Sequence, residues 1–276
     1  MAEHSVTVND VTLAYEDLGP ADGPAVLLVH GHPFDRTLWY PQARALTAAG
    51  YRVLLPDLRG YGRSRVVPGT TRLSDFADDL AGLLDRLEVP RAVVGGVSMG
   101  GQIAMEFHLG RPDRVTALVL ADTSPVAETA EGRRARAELA DRLLAEGMSG
   151  YAEEVIGRMI APYHVTGKPE VARHVLGMMR TTDPEGAAAA LRGRAERPDY
   201  RSSLAGLKVP ALVLVGADDE YTPPAGARAL HALLPQAVLA VIEEAGHLPG
   251  VEQPERVNAA LLSFLEKAVP VTDRAR

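Results

Sequence analysis

Cysteine is absent from this chain of 276 residues. Its absence excludes disulfide bridges, thiolate nucleophiles, thiolate zinc sites and iron–sulfur clusters. Aromatic residues are also scarce, at 5% with one tryptophan, so we expect no large aromatic cage around a ligand. No apolar run approaches the roughly 18 residues of a membrane-spanning helix, and the N-terminal segment lacks the basic and apolar regions of a secretory signal. We therefore expect a soluble, cytoplasmic globular protein without a membrane partner.

Positive charge is in the minority. The chain has 29 lysines and arginines against 36 acidic residues, a net charge of −7. Because nonspecific nucleic-acid binding needs a basic face, we expect no nucleic-acid partner, and we expect a small molecule as the ligand. The sequence makes no prediction of oligomeric state.

Six apolar runs without polar alternation predict strands that are covered on both faces, as in a parallel sheet. They are residues 25–30, 52–57, 92–97, 115–122, 211–216 and 238–246. Helix-like segments lie between most of them, at about 38–49, 74–87, 99–110, 224–234 and 253–267. This alternation indicates right-handed βαβ units, and two β-rich runs around Asn9-Asp10 add a hairpin. The fold class predicted is α/β, with a mostly parallel, eight-stranded sheet flanked by helices.

Residues 124–207 interrupt the alternation with a stretch that has no strand-like run. Such a length is too great for a simple loop, so we expect a helical cap on a core formed by residues 1–123 and 208–276. Ordinary crossover helices are the alternative. Leu143, Leu144, Val155, Ile156, Met159 and Ile160 are candidates for facing the pocket or the core beneath it, and packing within the cap is the alternative; Tyr151 and Tyr163 are candidates for polar wall contacts.

The segment Gly96-Val97-Ser98-Met99-Gly100 matches the Gly-x-Ser-x-Gly pattern of a nucleophilic serine. The pattern alone is modest evidence, but here it follows an apolar strand and opens a helix, as a nucleophile elbow requires. The glycines let neighbouring backbones pass close by. We therefore predict that Ser98 is the nucleophile and lies at a helix N-terminus, which favours developing negative charge.

A serine hydroxyl needs a base, and the base needs an orienting carboxylate. His247 is the preferred base because it follows the last predicted strand, at the edge where open α/β sheets bind ligands. His30 is expected to make structural hydrogen bonds. Three adjacent acids follow the strand at 211–216; Asp219 is preferred over Asp218, and Asp122 is a further candidate.

Two backbone N–H groups are needed to hold an oxyanion. We assign them to Met99, directly after the predicted nucleophile, and to His32, in the loop after the strand at 25–30, since Pro33 has no N–H. The neighbouring His30 and His32 have no plausible third ligand nearby, so we predict no metal site.

Together these motifs resemble the α/β-hydrolase superfamily. The segments that carry the resemblance are His30–Pro33, Pro56–Ser64, Gly96–Gly101, Gly216–Pro223 and Gly246-His247. Within the superfamily the chain is similar to bacterial 3-oxoadipate enol-lactonase-like esterases, with cofactor-free haloperoxidases and perhydrolases as near neighbours. The resemblance favours Asp219, through its Gly-x-x-Asp spacing before Thr-Pro. It also implies that Asp57 and Arg59 brace the site.

The function predicted is a serine hydrolase that cleaves a carboxylic ester or lactone through an acyl-enzyme and needs no cofactor. One alternative keeps the same three residues and cleaves a C–C bond in a β-diketone-like substrate. Others are a cofactor-free perhydrolase or haloperoxidase activity, and a ligand-binding protein without catalysis. A binding protein would not need all three residues, which argues against the last alternative.

Overall fold

One eight-stranded sheet organises the chain in the computed structural model, which describes residues 3–271. The strands are β1 (Glu3–Val8), β2 (Val11–Leu18), β3 (Ala25–Val29), β4 (Arg52–Pro56), β5 (Ala92–Val97), β6 (Val115–Ala121), β7 (Ala211–Gly216) and β8 (Ala237–Ile242). Their order across the sheet is β1-β2-β4-β3-β5-β6-β7-β8. The first two strands form the predicted antiparallel hairpin, β2 pairs antiparallel with β4, and all later pairs are parallel. The predicted fold class is confirmed.

The helices between the strands begin and end close to their predicted positions. Their bounds are α1 (Tyr40–Ala48), α2 (Leu73–Arg86), α3 (Met99–Gly110), α4 (Ala130–Glu146), α5 (Ser149–Met159), α6 (Pro162–Gly167), α7 (Pro169–Thr181), α8 (Pro184–Ala195), α9 (Arg201–Leu204), α10 (Pro224–Leu233), α11 (Pro249–Glu252) and α12 (Pro254–Ala268). Strand β8 ends at Ile242, earlier than predicted, because the chain turns through Glu244 at a φ of 59°. Within residues 3–271 no helix is long and apolar enough to span a membrane.

Apolar side chains cover both faces of the sheet. On one face, α2 and α3 pack through residues such as Phe76 and Ile103, and on the other, α1 and α12 pack through residues such as Leu46 and Leu265. All six residues of β5 are buried, which explains why this strand reads as a continuous apolar run. The central strands therefore give a rigid support for the loops at their carboxyl ends.

Residues 124–207, all of which the structure describes, contain the six helices α4–α9 and no strand. Helices α4 and α8 pack against each other through a small apolar cluster that includes Leu143. Ile156 and Ile160 belong to the core layer beneath, one of the positions expected for them, and Leu144 is 38% exposed. The segment leaves from the carboxyl end of β6 and returns to the amino end of the parallel strand β7, so its first end lies at the carboxyl edge of the sheet and its last end at the opposite edge.

Candidate active site

Ser98 lies in the sharp turn between β5 and α3. Its φ of 56° and ψ of −116° place it in a conformation that residues other than glycine rarely adopt. A β-carbon on Gly31 would lie 2.9 Å from the carbonyl oxygen of Val97 and 3.2 Å from Cβ of Ser98. The loop after β3 therefore approaches Ser98 closely because it has glycine at this position.

His247 and Asp219 are hydrogen-bonded to each other, with Nδ1 of His247 2.8 Å from Oδ2 of Asp219. Both side chains are buried, and they come from the loops that follow β8 and β7. Ser98 lines the same cavity as His247, although no hydrogen bond joins their side chains within residues 3–271. Bonds of this kind often tighten only when substrate is bound.

Asp219 is held in its ionised form. Its carboxylate also accepts hydrogen bonds from the backbone N–H groups of Tyr221 (2.8 Å) and Thr222 (3.1 Å) and from the Thr222 hydroxyl. Burial alone would raise the pKa of Asp219, but the bond to His247, the charge of His247 and the Thr222 donors lower that pKa to about 2. Such a carboxylate can orient an imidazole and stabilise its protonated form.

Asp122 has the opposite character. It is 1% exposed; Oδ1 accepts the N–H of Gly216 at 2.9 Å, and Oδ2 has no partner among the described residues. Burial, followed by the nearby charge of Asp219, raises the pKa of Asp122 well above its usual range. Ligand atoms of Asp122, Asp219 and His247 lie within 4.8 Å of one another. Because burial disfavours the ionised form of Asp122 and the Asp219 carboxylate already accepts four hydrogen bonds, the cluster suits an acid–base pair better than a metal ion.

The other two acids beside Asp219 face different partners. Oδ2 of Asp218 accepts a hydrogen bond from the Tyr163 hydroxyl at 2.5 Å. Glu220 is 3.6 Å from the guanidinium of Arg158. Neither acid is hydrogen-bonded to His247 within residues 3–271, so among the three adjacent acids Asp219 is the one that meets the histidine.

The two predicted oxyanion donors are close to Ser98. Met99 is the first residue of α3, where N–H groups lack an intrahelical partner. His32 follows Gly31, and Nδ1 of its ring is 2.8 Å from the Tyr61 hydroxyl, while Nε2 has no partner in the described part of the chain. Burial and then the charge of Arg194 hold the pKa of His32 well below its usual value, so the ring is neutral.

A cavity of about 570 Å³ opens above Ser98, and much of its wall comes from residues 124–207. Of the apolar wall candidates, Val155 and Met159 line it, and so does Tyr151. Tyr163 does not line this cavity and is 49% exposed. The wall also carries arginines at positions 136, 142, 158, 194 and 197.

Glu252, which no motif in the sequence singles out, holds the loop that carries His247 in place. The side chain is fully buried. Its Oε1 accepts the N–H groups of Gly246 at 2.8 Å and Leu248 at 3.4 Å, the residues on either side of His247. One carboxylate therefore sets the position of the loop from which the imidazole projects.

The same Glu252 side chain also binds the inserted helices. Its Oε2 accepts the N–H of Ala161 at 2.7 Å and lies 2.8 Å from Nδ1 of His164. These partners are 91 and 88 residues away along the chain. No local pattern could have revealed such contacts, because only the folded chain brings the partners together.

The loops beneath the site are held by buried polar contacts. Asp57 accepts the backbone N–H groups of Arg36 and Arg63, each at 2.9 Å, and pairs with the Arg36 guanidinium. Nε2 of His30 accepts the N–H of Leu58 at 3.0 Å, and Nδ1 bonds to a backbone carbonyl. Burial lowers the pKa of His30, so it is a neutral structural histidine, as the sequence predicts.

Comparisons with known proteins find relatives along nearly the whole chain. Residues 24–254 match the family described as alpha/beta hydrolase fold. The chain is 29% identical to 3-oxoadipate enol-lactonase 2 of Acinetobacter baylyi, over 95% of this chain and 96% of that protein. Among solved structures it is similar to a thermophilic esterase from Thermogutta terrifontis (malate bound), at 41% identity and a TM-score of 0.93, over 97% and 99% of the two chains. An enol-lactonase from Burkholderia xenovorans LB400 is 29% identical, with a TM-score of 0.88, over 95% and 99%.

Proposed function

The chain belongs to the α/β-hydrolase fold family and is a hydrolase, and on that premise we propose that it cleaves a carboxylic ester or lactone with Ser98 as nucleophile. The observation that carries the proposal is the buried hydrogen bond between His247 and Asp219, 2.8 Å long, beside the cavity that Ser98 lines. The printed names of the relatives, enol-lactonases and an esterase, support the type of bond cleaved.

The reaction proceeds through two acyl transfers. Ser98 Oγ attacks the substrate carbonyl while Nε2 of His247 takes its proton, and the backbone N–H groups of Met99 and His32 stabilise the oxyanion. His247 then gives the proton to the leaving oxygen, and an acyl-enzyme remains. Water, deprotonated by His247, attacks the acyl carbon; the bond to Ser98 Oγ breaks, His247 returns the proton to Oγ, and the acid is released. Throughout, Asp219 holds the imidazole in the tautomer with hydrogen on Nδ1.

Residues 124–207 serve in this proposal as a cap that shapes the cavity for a small molecule. Val155, Met159 and Tyr151 come from these residues and line the cavity together with Ser98. Lids of this kind exclude water and set substrate preference, while the reacting groups stay on the rigid sheet. The bond between Glu252 and the backbone of Ala161 supports a fixed position for the cap over the His247 loop.

A panel of substrates tests the proposal. Purified protein is assayed with p-nitrophenyl acetate, an enol-lactone and a β-diketone, alongside Ser98→Ala and, as a control, Ser149→Ala at an exposed position outside the cavity. We expect ester or lactone turnover that Ser98→Ala lowers by several orders of magnitude and Ser149→Ala leaves unchanged. Turnover of the diketone alone would favour C–C bond hydrolysis, and full activity in Ser98→Ala would refute the nucleophile.

A further inference from the structure

The wall of the cavity above Ser98 carries more positive charge than its acidic residues neutralise. Among the described residues that line it, five are arginines and three are acids, Glu128, Glu154 and Asp122, and burial raises the pKa of Asp122. The protein as a whole has a net charge of −7. A positive cavity in an acidic protein concentrates anions at the site.

Four of these arginines have a carboxylate partner within residues 3–271, and the fifth, Arg194, has none. The ion pairs are Arg142–Glu154, Arg158–Glu220, Arg136–Glu128 and Arg197–Glu128. Two guanidinium groups therefore share the single charge of Glu128. No ion pair of Arg194 with an acid occurs in the described part of the chain, so its charge is not neutralised by the protein.

Arg194 is held in place close to Ser98. Its Nε donates to Oε1 of Gln102 at 2.8 Å, and the backbone N–H of Gln102 donates to the carbonyl of Ser98 at 3.2 Å. Helix α8, which carries Arg194, is seated against the core, where the Thr71 N–H donates to the Ala189 carbonyl at 3.0 Å. The two terminal nitrogens of Arg194 have no hydrogen-bond partner in residues 3–271, although the side chain lines the cavity.

The unpaired charge of Arg194 is costly. Burial lowers the pKa of Arg194, and the charges of Arg136 and Arg197 lower it further against the opposing effect of Glu128. A partly buried guanidinium without a counter-ion destabilises the fold. The presence of arginine at position 194 is therefore not explained by a contribution to stability. An anion bound in the cavity would relieve this cost.

We propose that the terminal nitrogens of Arg194 bind a carboxylate of the substrate, so that the preferred esters or lactones carry a second, free acid group. The inference rests on the proposed function, because it places this acid group in the cavity that contains Ser98. A planar guanidinium binds a carboxylate through two parallel hydrogen bonds, which fix orientation as well as affinity. With Nε already bound to Gln102, the two terminal nitrogens supply these donors, and the scissile carbonyl is directed toward Ser98.

The experiment compares two esters that differ only in charge: mono-p-nitrophenyl glutarate and its methyl ester. Both are assayed with the wild type, Arg194→Gln and Arg194→Lys. The matched control is Arg192→Gln, on the same helix but paired with Asp141 at 3.0 Å and outside the cavity. We expect the ratio of kcat/KM, anionic to neutral ester, to fall about 10- to 100-fold in Arg194→Gln, mostly through KM. The ratio for Arg194→Lys should lie between those of the wild type and Arg194→Gln, and Arg192→Gln should keep the ratio of the wild type.

A second measurement does not depend on catalysis. Glutarate should raise the Tm of the wild type and of Ser98→Ala, but not that of Arg194→Gln. Arg194→Gln without ligand should melt no lower than the wild type, because it removes an uncompensated charge. These melting curves also show whether the variant folds.

The outcomes separate this inference from the proposed function. Suppose that turnover of the neutral ester needs Ser98, but the ratio of kcat/KM for the anionic to the neutral ester is the same in Arg194→Gln and the wild type. The carboxylate site is then wrong, and the hydrolase proposal stands. If Ser98→Ala still hydrolyses the neutral ester, the proposed function itself fails. Stronger inhibition by inorganic phosphate than by glutarate would overturn the choice of a carboxylate as the ligand.

Discussion

Replacing Asp219 by asparagine removes a carboxylate that the folded protein keeps ionised. A pKa lowered from 3.8 to about 2 corresponds to roughly 2 kcal/mol in favour of the charged form, or about 30-fold in rate if the protonated imidazole loses that stabilisation. The amide would also donate to Nδ1 of His247 and put the ring hydrogen on Nε2, where it blocks proton transfer from Ser98. We therefore expect Asp219→Asn to lower kcat/KM by about 10³- to 10⁴-fold.

Asp122→Asn is the matched control, because it makes the same substitution at the neighbouring buried acid. Because burial raises the pKa of Asp122 and so disfavours its ionised form, an amide is a small change there and should alter kcat/KM by less than about 5-fold. Both variants are assayed with p-nitrophenyl acetate at a pH above 7. Equal losses in the two variants, or a larger loss in Asp122→Asn, would refute the assignment of Asp219 as the orienting acid.

The remaining predictions concern pH, the His247 loop and the cap. Because the pKa of Asp219 is lowered by folding, its contribution to stability is complete above about pH 4 and is lost as the pH falls toward 2, so urea unfolding should show the cost of Asp219→Asn shrinking over that range. Folding raises the pKa of Asp122, so the wild type should lose stability as the pH rises above about 4, whereas Asp122→Asn should not. A difference in the free energy of unfolding between the two proteins that stays constant from pH 4 to 8 would contradict this prediction. Glu252→Gln should lower both kcat/KM, by about 10- to 100-fold, and the free energy of unfolding, since it leaves buried donors with a poorer acceptor; wild-type values in both would refute its positioning role. Met159→Ala should change the kcat/KM ratio between long- and short-chain esters, whereas Leu144→Ala, at a 38% exposed position, should not; equal effects would contradict the cap proposal.

The sheet could be predicted from the sequence because its central strands are buried on both faces. Strand β5 and helix α3 match their predicted bounds, since the apolar run and the Gly-x-Ser-x-Gly turn are both local signals. Strand β8 was predicted too long. Its last predicted residues form a turn, in which Glu244 has a positive φ. A glutamate in the sequence does not indicate such a backbone conformation.

Site residues could be predicted where the local sequence marks them, but not where their role depends on contacts between residues far apart in the chain. Ser98 and His247 stand out by their place after predicted strands, and the structure brings Asp219, not Asp218, to His247. Arg194 could not be recognised, because the sequence contains many arginines and only the fold shows which one lacks a partner. No sequence pattern marks Glu252, because its partners Ala161 and His164 are remote along the chain.

Covalent labelling by a fluorophosphonate tests the central claim most directly, because the reagent reacts with a serine only when a base and an oxyanion site activate it. Intact-mass and peptide mass spectrometry are run on the wild type, Ser98→Ala and the exposed control Ser149→Ala. We predict one adduct per chain on Ser98 in the wild type and in Ser149→Ala, with loss of ester turnover, and none in Ser98→Ala. An unlabelled wild type that still turns over esters, or a labelled and active Ser98→Ala, would contradict the account.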